Sequence, residues 1–172
     1  MMKNKSPKLI TKRLVLRSLK SEDKKYMVPI FSDEKVKKTY MIPDFENQEQ
    51  IDAFFIKLEN LTLSDKHIAY AITLKNQVIG FVNSVSIDND SIEMGYFISS
   101  SFWNNGYATE AFTAVINELF RMGFNKILAA HFDNNPASGR VMEKCGMKKI
   151  AHEETIFYRG NNYRCIYYQI NK

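Results

Sequence analysis

The spacing of apolar positions divides the chain into short strands and helices. Within Leu9 to Leu19, Leu14-Val15-Leu16-Arg17 alternates and predicts a strand, and its charges place that strand at a sheet edge. Ser21 as N-cap, with Glu22 and Asp23 in the first turn, opens a helix to about Phe31 that Pro29 shortens or kinks. Asp33 caps a second short helix through Val36, and Pro43 ends that region. From Asn47 to about Leu63, Ile51, Phe54, Phe55, Leu58 and Leu61 keep helical spacing. At Ile68 the period changes to two. Ile68 to Ile72, Val78 toward Ile87, and Ser91 to Ile98 predict three strands joined by turns at Lys75-Asn76-Gln77 and Asp88-Asn89-Asp90.

The strongest helical pattern comes next: Ala108, Ala111, Phe112, Val115, Ile116, Leu119 and Met122, stopped by Gly123. Ile127 to Phe132 reads as the following strand. Strand, helix and strand of this length imply a right-handed crossover and local parallel pairing. Asn135 as N-cap and Pro136 at the first helical position start another helix, which Gly146 closes. Lys148 to Tyr158 and Tyr163 to Ile170 flank Arg159-Gly160-Asn161-Asn162 as a terminal hairpin. With no repeat or linker, residues 1–172 read as one α+β domain. Its expected core is a mixed, mostly antiparallel sheet of about seven strands, with a parallel pair in the centre and flanking helices.

Composition narrows the class. Of 172 residues, 45% are hydrophobic and 25% charged, which suits a folded globular chain. No apolar run reaches the roughly 18–20 residues a membrane span needs, and Met1-Met2-Lys3-Asn4-Lys5 leads into no apolar signal segment. Cys145 and Cys165 lack metal-ligand spacing, and His67, His131 and His152 are scattered. A cytoplasmic protein with reduced thiols and no metal is expected. The net charge of +5 is uneven: residues 1–25 carry nine Lys/Arg against Glu22 and Asp23. Such a strip suits nucleic acid, an acidic ligand or simply a solvated strand face. Conversely, residues 44–65 hold six carboxylates against Lys57 alone, a pattern that would attract a cation or form a solvated helix face.

Candidate chemistry centres on Phe102-Trp103-Asn104-Asn105-Gly106-Tyr107-Ala108-Thr109-Glu110-Ala111. It lies between an apolar strand and the best helix. A small-residue turn entering a helix presents free backbone N–H groups to an anion, typically a phosphate. Gly106 permits close approach or an unusual φ, and Ala108 is small. Ser138 precedes Val141, Met142 and Cys145 by three, four and seven residues, so it shares their inward face. A Ser so placed either meets a ligand or bonds its own backbone. Cys145 ends a helix with no His near in sequence, which argues against a covalent acyl-enzyme.

Four segments in order carry a family resemblance: Thr11-Lys12-Arg13-Leu14-Val15-Leu16-Arg17; Glu93-Met94-Gly95-Tyr96-Phe97-Ile98; Trp103 to Ala111; and Asn135-Pro136-Ala137-Ser138 leading to Met142-Glu143-Lys144-Cys145-Gly146-Met147. Together they resemble the GNAT superfamily of acetyl-CoA-dependent N-acetyltransferases, and within it the RimJ/RimL branch, which includes ribosomal-protein N-terminal acetyltransferases. The resemblance implies that Trp103, Asn104, Asn105, Gly106, Tyr107, Ala108 and Thr109 cradle the pyrophosphate, with Trp103 standing where many members carry Gln or Arg. It implies that the backbone of Phe97 and Ile98 pairs with pantetheine beside a bulged, splayed strand, and that Asn135, Ser138 and Lys144 also meet the cofactor.

The implied catalytic residues are Glu93, which would deprotonate the amine, and Ser138, which would protonate the departing thiolate. Glu93 also reads as an outward carboxylate in a cross-strand ion pair. Phe157 stands where the RimL subtype keeps its better-known base, and Glu153 and Glu154 lie near that position without occupying it, so the base stays open. The expected reaction is direct attack of a neutral amine on acetyl-CoA. An α-amine with pKa about 7.7–8.0 is roughly a tenth neutral at pH 7, a lysine roughly 0.04%. The α-amine of a protein N-terminus therefore asks least of the base. A polyamine, amino acid or aminoglycoside-like acceptor stays open, as does a non-catalytic acyl-CoA-binding protein. No membrane partner and no nucleic acid is expected, and a homodimer follows from analogy alone.

Overall fold

The structure, a computed structural model, describes residues 6–172; Lys3 and Lys5 of the basic strip lie outside them. The strands are β1 (Leu9–Ile10), β2 (Leu14–Arg17), β3 (Ala69–Leu74), β4 (Gln77–Asp88), β5 (Ser91–Ile98), β6 (Lys126–Phe132), β7 (Lys148–Tyr158) and β8 (Asn161–Asn171). The helices are α1 (Lys24–Phe31), α2 (Glu34–Lys37), α3 (Gln48–Leu63), α4 (Tyr107–Arg121) and α5 (Pro136–Lys144). One open sheet runs in the order β1-β2-β3-β4-β5-β6-β8-β7. Every pairing is antiparallel except β5 with β6. This is the mixed sheet with a central parallel pair that the pattern predicts. It has eight strands rather than about seven because Leu9–Ile10 forms a short strand of its own. That strand takes the edge, so β2 is flanked on both sides.

Local chemistry explains most boundaries. Asp33, Asn47 and Asn135 cap α2, α3 and α5 by accepting the amides of Lys35, Gln50 and Ser138. The first helical segment departs from expectation. Ser21 is not its cap. Asp23 is 1% exposed, reaches back to the Lys20 amide at 2.8 Å, and holds the Arg17 guanidinium through both oxygens at 2.6 and 2.9 Å. A single tight turn, Ser21–Asp23, therefore precedes α1.

The sheet separates two apolar layers, and β5 feeds both. Ile92, Met94 and Ile98 pack with Phe112, Val115, Ile116 and Leu119 of α4, while Phe97 packs with Met27, Phe31 and Phe55 on the opposite face. Burying each such side chain contributes about 1.5–3 kcal/mol, enough to fix the strand's register because a one-residue slip would exchange the two faces. Gly80 lets β4 and β5 close: a Cβ there would collide with the Phe97 carbonyl oxygen. The irregularity expected near Gly95 lies across the ladder, in β4 between Ser84 and Ser86. Among the described residues, no helix is long and apolar enough to cross a membrane.

Candidate active site

The site begins where a ladder stops. β5 and β6 pair from Ser91/Lys126 to Met94/Ala129 and no further. Gly95 to Ile98 keep partners on β4 but have none on β6, whose remaining residues pair only with β8. A cleft of about 360 Å³ lies at this parting, between α4 and α5. Phe97 and Ile98 line it. The Ile98 carbonyl is occupied, because the Trp103 indole N–H donates to it at 2.8 Å. The indole folds back in this way to set the strand-to-loop turn.

The loop after β5 is wound tightly. Asn104 (φ 61°) and Gly106 (φ 78°) both adopt left-handed backbone, a conformation glycine accepts freely and Asn tolerates better than most. Gly106 is the N-cap of α4 and carries no side chain to accept from the helix. The amides of Tyr107, Ala108 and Thr109 precede the first intrahelical bond, from the Glu110 amide to the Gly106 carbonyl at 3.0 Å. In α2, α3 and α5 a side chain caps this end; in α4 none does. The helix dipole and these uncapped donors favour an anion. Trp103, Asn104, Gly106, Tyr107, Ala108 and Thr109 line the cleft. Asn105 does not. Its amide nitrogen turns inward to the Phe102 and Trp103 carbonyls at 3.2 and 2.8 Å, so it holds the loop's shape rather than facing the cleft.

The opposite wall is α5. Asn135, Ser138 and Lys144 line the cleft, and exposed Arg140 adds a further cation. Ser138 Oγ lies 2.9 Å from the Tyr96 hydroxyl, which also reaches the Ser138 carbonyl at 3.2 Å. Burial raises the Tyr96 phenol above its ordinary value, a rise the Ser138 hydrogen bond opposes, so the phenol keeps its proton at neutral pH. Sequence reasoning missed Tyr96 as a site residue. Its alternation with Met94 and Ile98 put it on the inward face, and a phenol there needs a partner.

Glu93 is not among the residues lining the cleft. It stands two residues before Gly95 on the same face of β5, with Ser86 Oγ at 3.5 Å. Burial raises its carboxyl above the ordinary value, and the Glu154 charge adds to the rise, against Ser86 and His152. Gly95 does reach the cleft, and a Cβ there would meet the Tyr40 hydroxyl at 3.1 Å. Tyr40, beyond α2, was not foreseen, because nothing in its local sequence marks it.

The acidic stretch 44–65 contributes nothing to the cleft lining. Asp44 instead pairs with Lys37 and Arg159, and Asp52 with Lys24. Of the three histidines, His131 is brought to the cleft, buried, with Nδ1 2.7 Å from the Phe132 carbonyl oxygen. Cys145 receives the Thr113 hydroxyl at 3.4 Å, and burial raises its thiol pKa, which is no setting for a nucleophile.

Comparison with known proteins settles the family. The family profile described as an acetyltransferase (GNAT) domain matches residues 13–148. The chain belongs to this family. As a GNAT domain it is an acetyl-CoA-dependent acyltransferase. It is 28% identical over 172 residues to the uncharacterized N-acetyltransferase YoaA of Bacillus subtilis, covering 96% of this chain and 97% of that protein. It superimposes on a GNAT acetyltransferase from Bacillus anthracis with a TM-score of 0.82, at 25% identity and 96% and 98% coverage. RimL, a ribosomal L7/L12 α-N-protein acetyltransferase solved with coenzyme A, shares the fold at TM-score 0.81, 16% identity, and 95% and 96% coverage. In this GNAT domain the three cleft walls are therefore the strand parting, the uncapped α4 terminus and the Ser138 end of α5.

Proposed function

We propose that the chain is one catalytic unit that transfers an acetyl group from acetyl-CoA to a protein N-terminal α-amine, in the manner of the RimJ/RimL branch. The observation carrying this reading is that the uncapped α4 terminus and the Tyr96–Ser138 pair open on one cleft where the β5–β6 ladder ends. The pyrophosphate would rest on the amides of Tyr107, Ala108 and Thr109, and pantetheine would follow Gly95 to Ile98. The thioester would then lie between β5 and Ser138.

The neutral amine attacks the thioester carbonyl, forming the C–N bond and breaking the C–S bond. The nitrogen's surplus proton passes through water to Glu93, whose carboxyl burial raises above its ordinary value. The departing thiolate takes a proton from Ser138, which the Tyr96 phenol and solvent restore. An α-amine is favoured because Glu93 stands back from the cleft and an amine of low pKa needs little help. The RimL likeness in fold supports the same acceptor class.

A thiol-release screen with acetyl-CoA tests this reading. CoA release is expected with peptides bearing a free α-amine and not with the same peptides N-acetylated. Release with polyamines or aminoglycosides alone would reject the α-amine.

A further inference from the structure

We propose that Arg13 is a positioning residue for the phosphate-binding loop, acting with Glu110 as a clamp that sets the loop's affinity for CoA. The proposal rests on the acetyl-CoA reading of the cleft. Arg13 sits in the turn between β1 and β2, at the sheet edge, yet its guanidinium spans three consecutive loop residues. Nη1 donates to the Asn105 carbonyl at 2.9 Å. Nη2 lies 3.5 Å from where a Cβ of Gly106 would stand. The guanidinium carbon sits 4.5 Å from the centre of the Tyr107 ring, over its face. Nε donates to Glu110 Oε2 at 2.6 Å, one helical turn into α4.

Glu110 answers from the helix. Its other oxygen accepts the Arg13 amide and the Thr11 hydroxyl, both at 2.7 Å. Burial alone would raise this carboxyl, but Thr11 and Arg13 together hold it below its ordinary value. The carboxylate is therefore fully charged at neutral pH and kept for the clamp.

The loop needs an external hold. Two of its residues carry positive φ, one of them the non-glycine Asn104, and the amides it presents are uncapped. Beside the clamp, its own side chains hold it through Asn105, to the Phe102 and Trp103 carbonyls, and through the Trp103 indole, to the Ile98 carbonyl. Arg13 and Glu110 grip it from the side away from the apolar core, with the Arg13 side chain 40% exposed, so little core packing depends on them. Their work is to hold the loop, and with it the three uncapped amides, in place before the anion arrives. The clamp also gives part of the basic N-terminal strip a role that is neither nucleic-acid binding nor plain solubility.

The test uses the full chain, calorimetry with CoA, and steady-state kinetics with acetyl-CoA and an accepted amine. Arg13→Gln should weaken CoA about tenfold, the scale of losing a charge-assisted contact, and raise the acetyl-CoA KM alike. The kcat and the amine KM should stay within about twofold of wild type. Arg13→Lys should recover little, because an ammonium cannot span Glu110 and the Asn105 carbonyl together. Glu110→Gln should match Arg13→Gln, and the double variant should lose no more than either single one. Lys12→Gln, which removes a neighbouring exposed charge, should bind CoA as wild type does. Wild-type CoA affinity in Arg13→Gln, an equal loss in Lys12→Gln, or a loss confined to kcat overturns the clamp. Should Arg13→Gln fail to fold, Arg13→Lys and Glu110→Gln carry the comparison on the same terms. Failure of the acetyl-CoA reading is seen separately, as wild-type protein that binds no CoA.

Discussion

Ser138 is held from two directions. Its amide is capped by Asn135 and its hydroxyl meets Tyr96. That pairing predicts a shared effect on leaving-group chemistry. Ser138→Ala should lower kcat about a hundredfold with the acetyl-CoA KM nearly unchanged, and Tyr96→Phe should give a smaller loss in the same parameter. Stopped-flow or steady-state kinetics on the two variants and their combination would show whether the losses overlap. Glu93 makes a different prediction, because its carboxyl is raised on folding. The folded chain then holds that proton more tightly than the unfolded one, and stability drains away as pH climbs from the ordinary carboxylate range through the raised value. Glu93→Gln should therefore melt no lower than wild type at about pH 7, and its advantage should vanish near pH 4. Under the proposed chemistry the same variant is the one that loses amine acetylation at neutral pH. Thermal melts across pH, set beside the pH–rate profile, would separate the two effects.

At the scale of elements, the site is made of ends: the end of a parallel ladder, the start of α4 and the start of α5. Starts and stops carry strong local signals, and so much of the site was legible. Gly106, Asn135, Pro136 and Gly146 each stand where backbone geometry demands their residue type. Gly106→Ala forces a side chain into left-handed backbone at a cost of about 1–2 kcal/mol, so the acetyl-CoA KM should rise about tenfold while the rest of the fold holds. Asn135→Ala should cost about 1 kcal/mol in chemical denaturation and loosen Ser138. Long-range partners were not legible. Nothing around Tyr40 predicts its approach to Gly95, and Ser21 looked a better cap than the chain used, because the buried Asp23–Arg17 pair depends on a strand folded back against that turn. The strand Leu9 to Leu19 was likewise read as one piece; it splits into β1 and β2 at a turn that Thr11 closes on Leu14 through backbone and hydroxyl, and that Glu110 braces from 97 residues or more away in sequence.

Across the whole molecule, the terminal hairpin ties down the segment that brings Tyr40 to the cleft. Arg159, in the β7–β8 turn, reaches Glu34 and Asp44, and the Tyr158 hydroxyl donates to the Ile42 carbonyl at 2.8 Å. These bonds straddle the segment that carries Tyr40. Arg159→Ala should raise the amine KM a few-fold with the acetyl-CoA KM unchanged. Because the ion pairs are exposed, wild type should approach the variant as salt is added; kinetics in rising sodium chloride measure this.

The unfinished β5–β6 ladder has a last consequence. Gly95 to Ile98 are paired on one side only, so a pantetheine arm lying there would act as a missing strand supplied from solution. The amide protons of this stretch that point away from β4 should exchange with deuterium quickly in the empty protein and slowly once CoA is bound. The melting temperature should climb with the logarithm of CoA concentration. A chain completed in this way is sturdiest when the cofactor is abundant, and its lifetime in a protease-rich environment would then follow the size of the CoA pool.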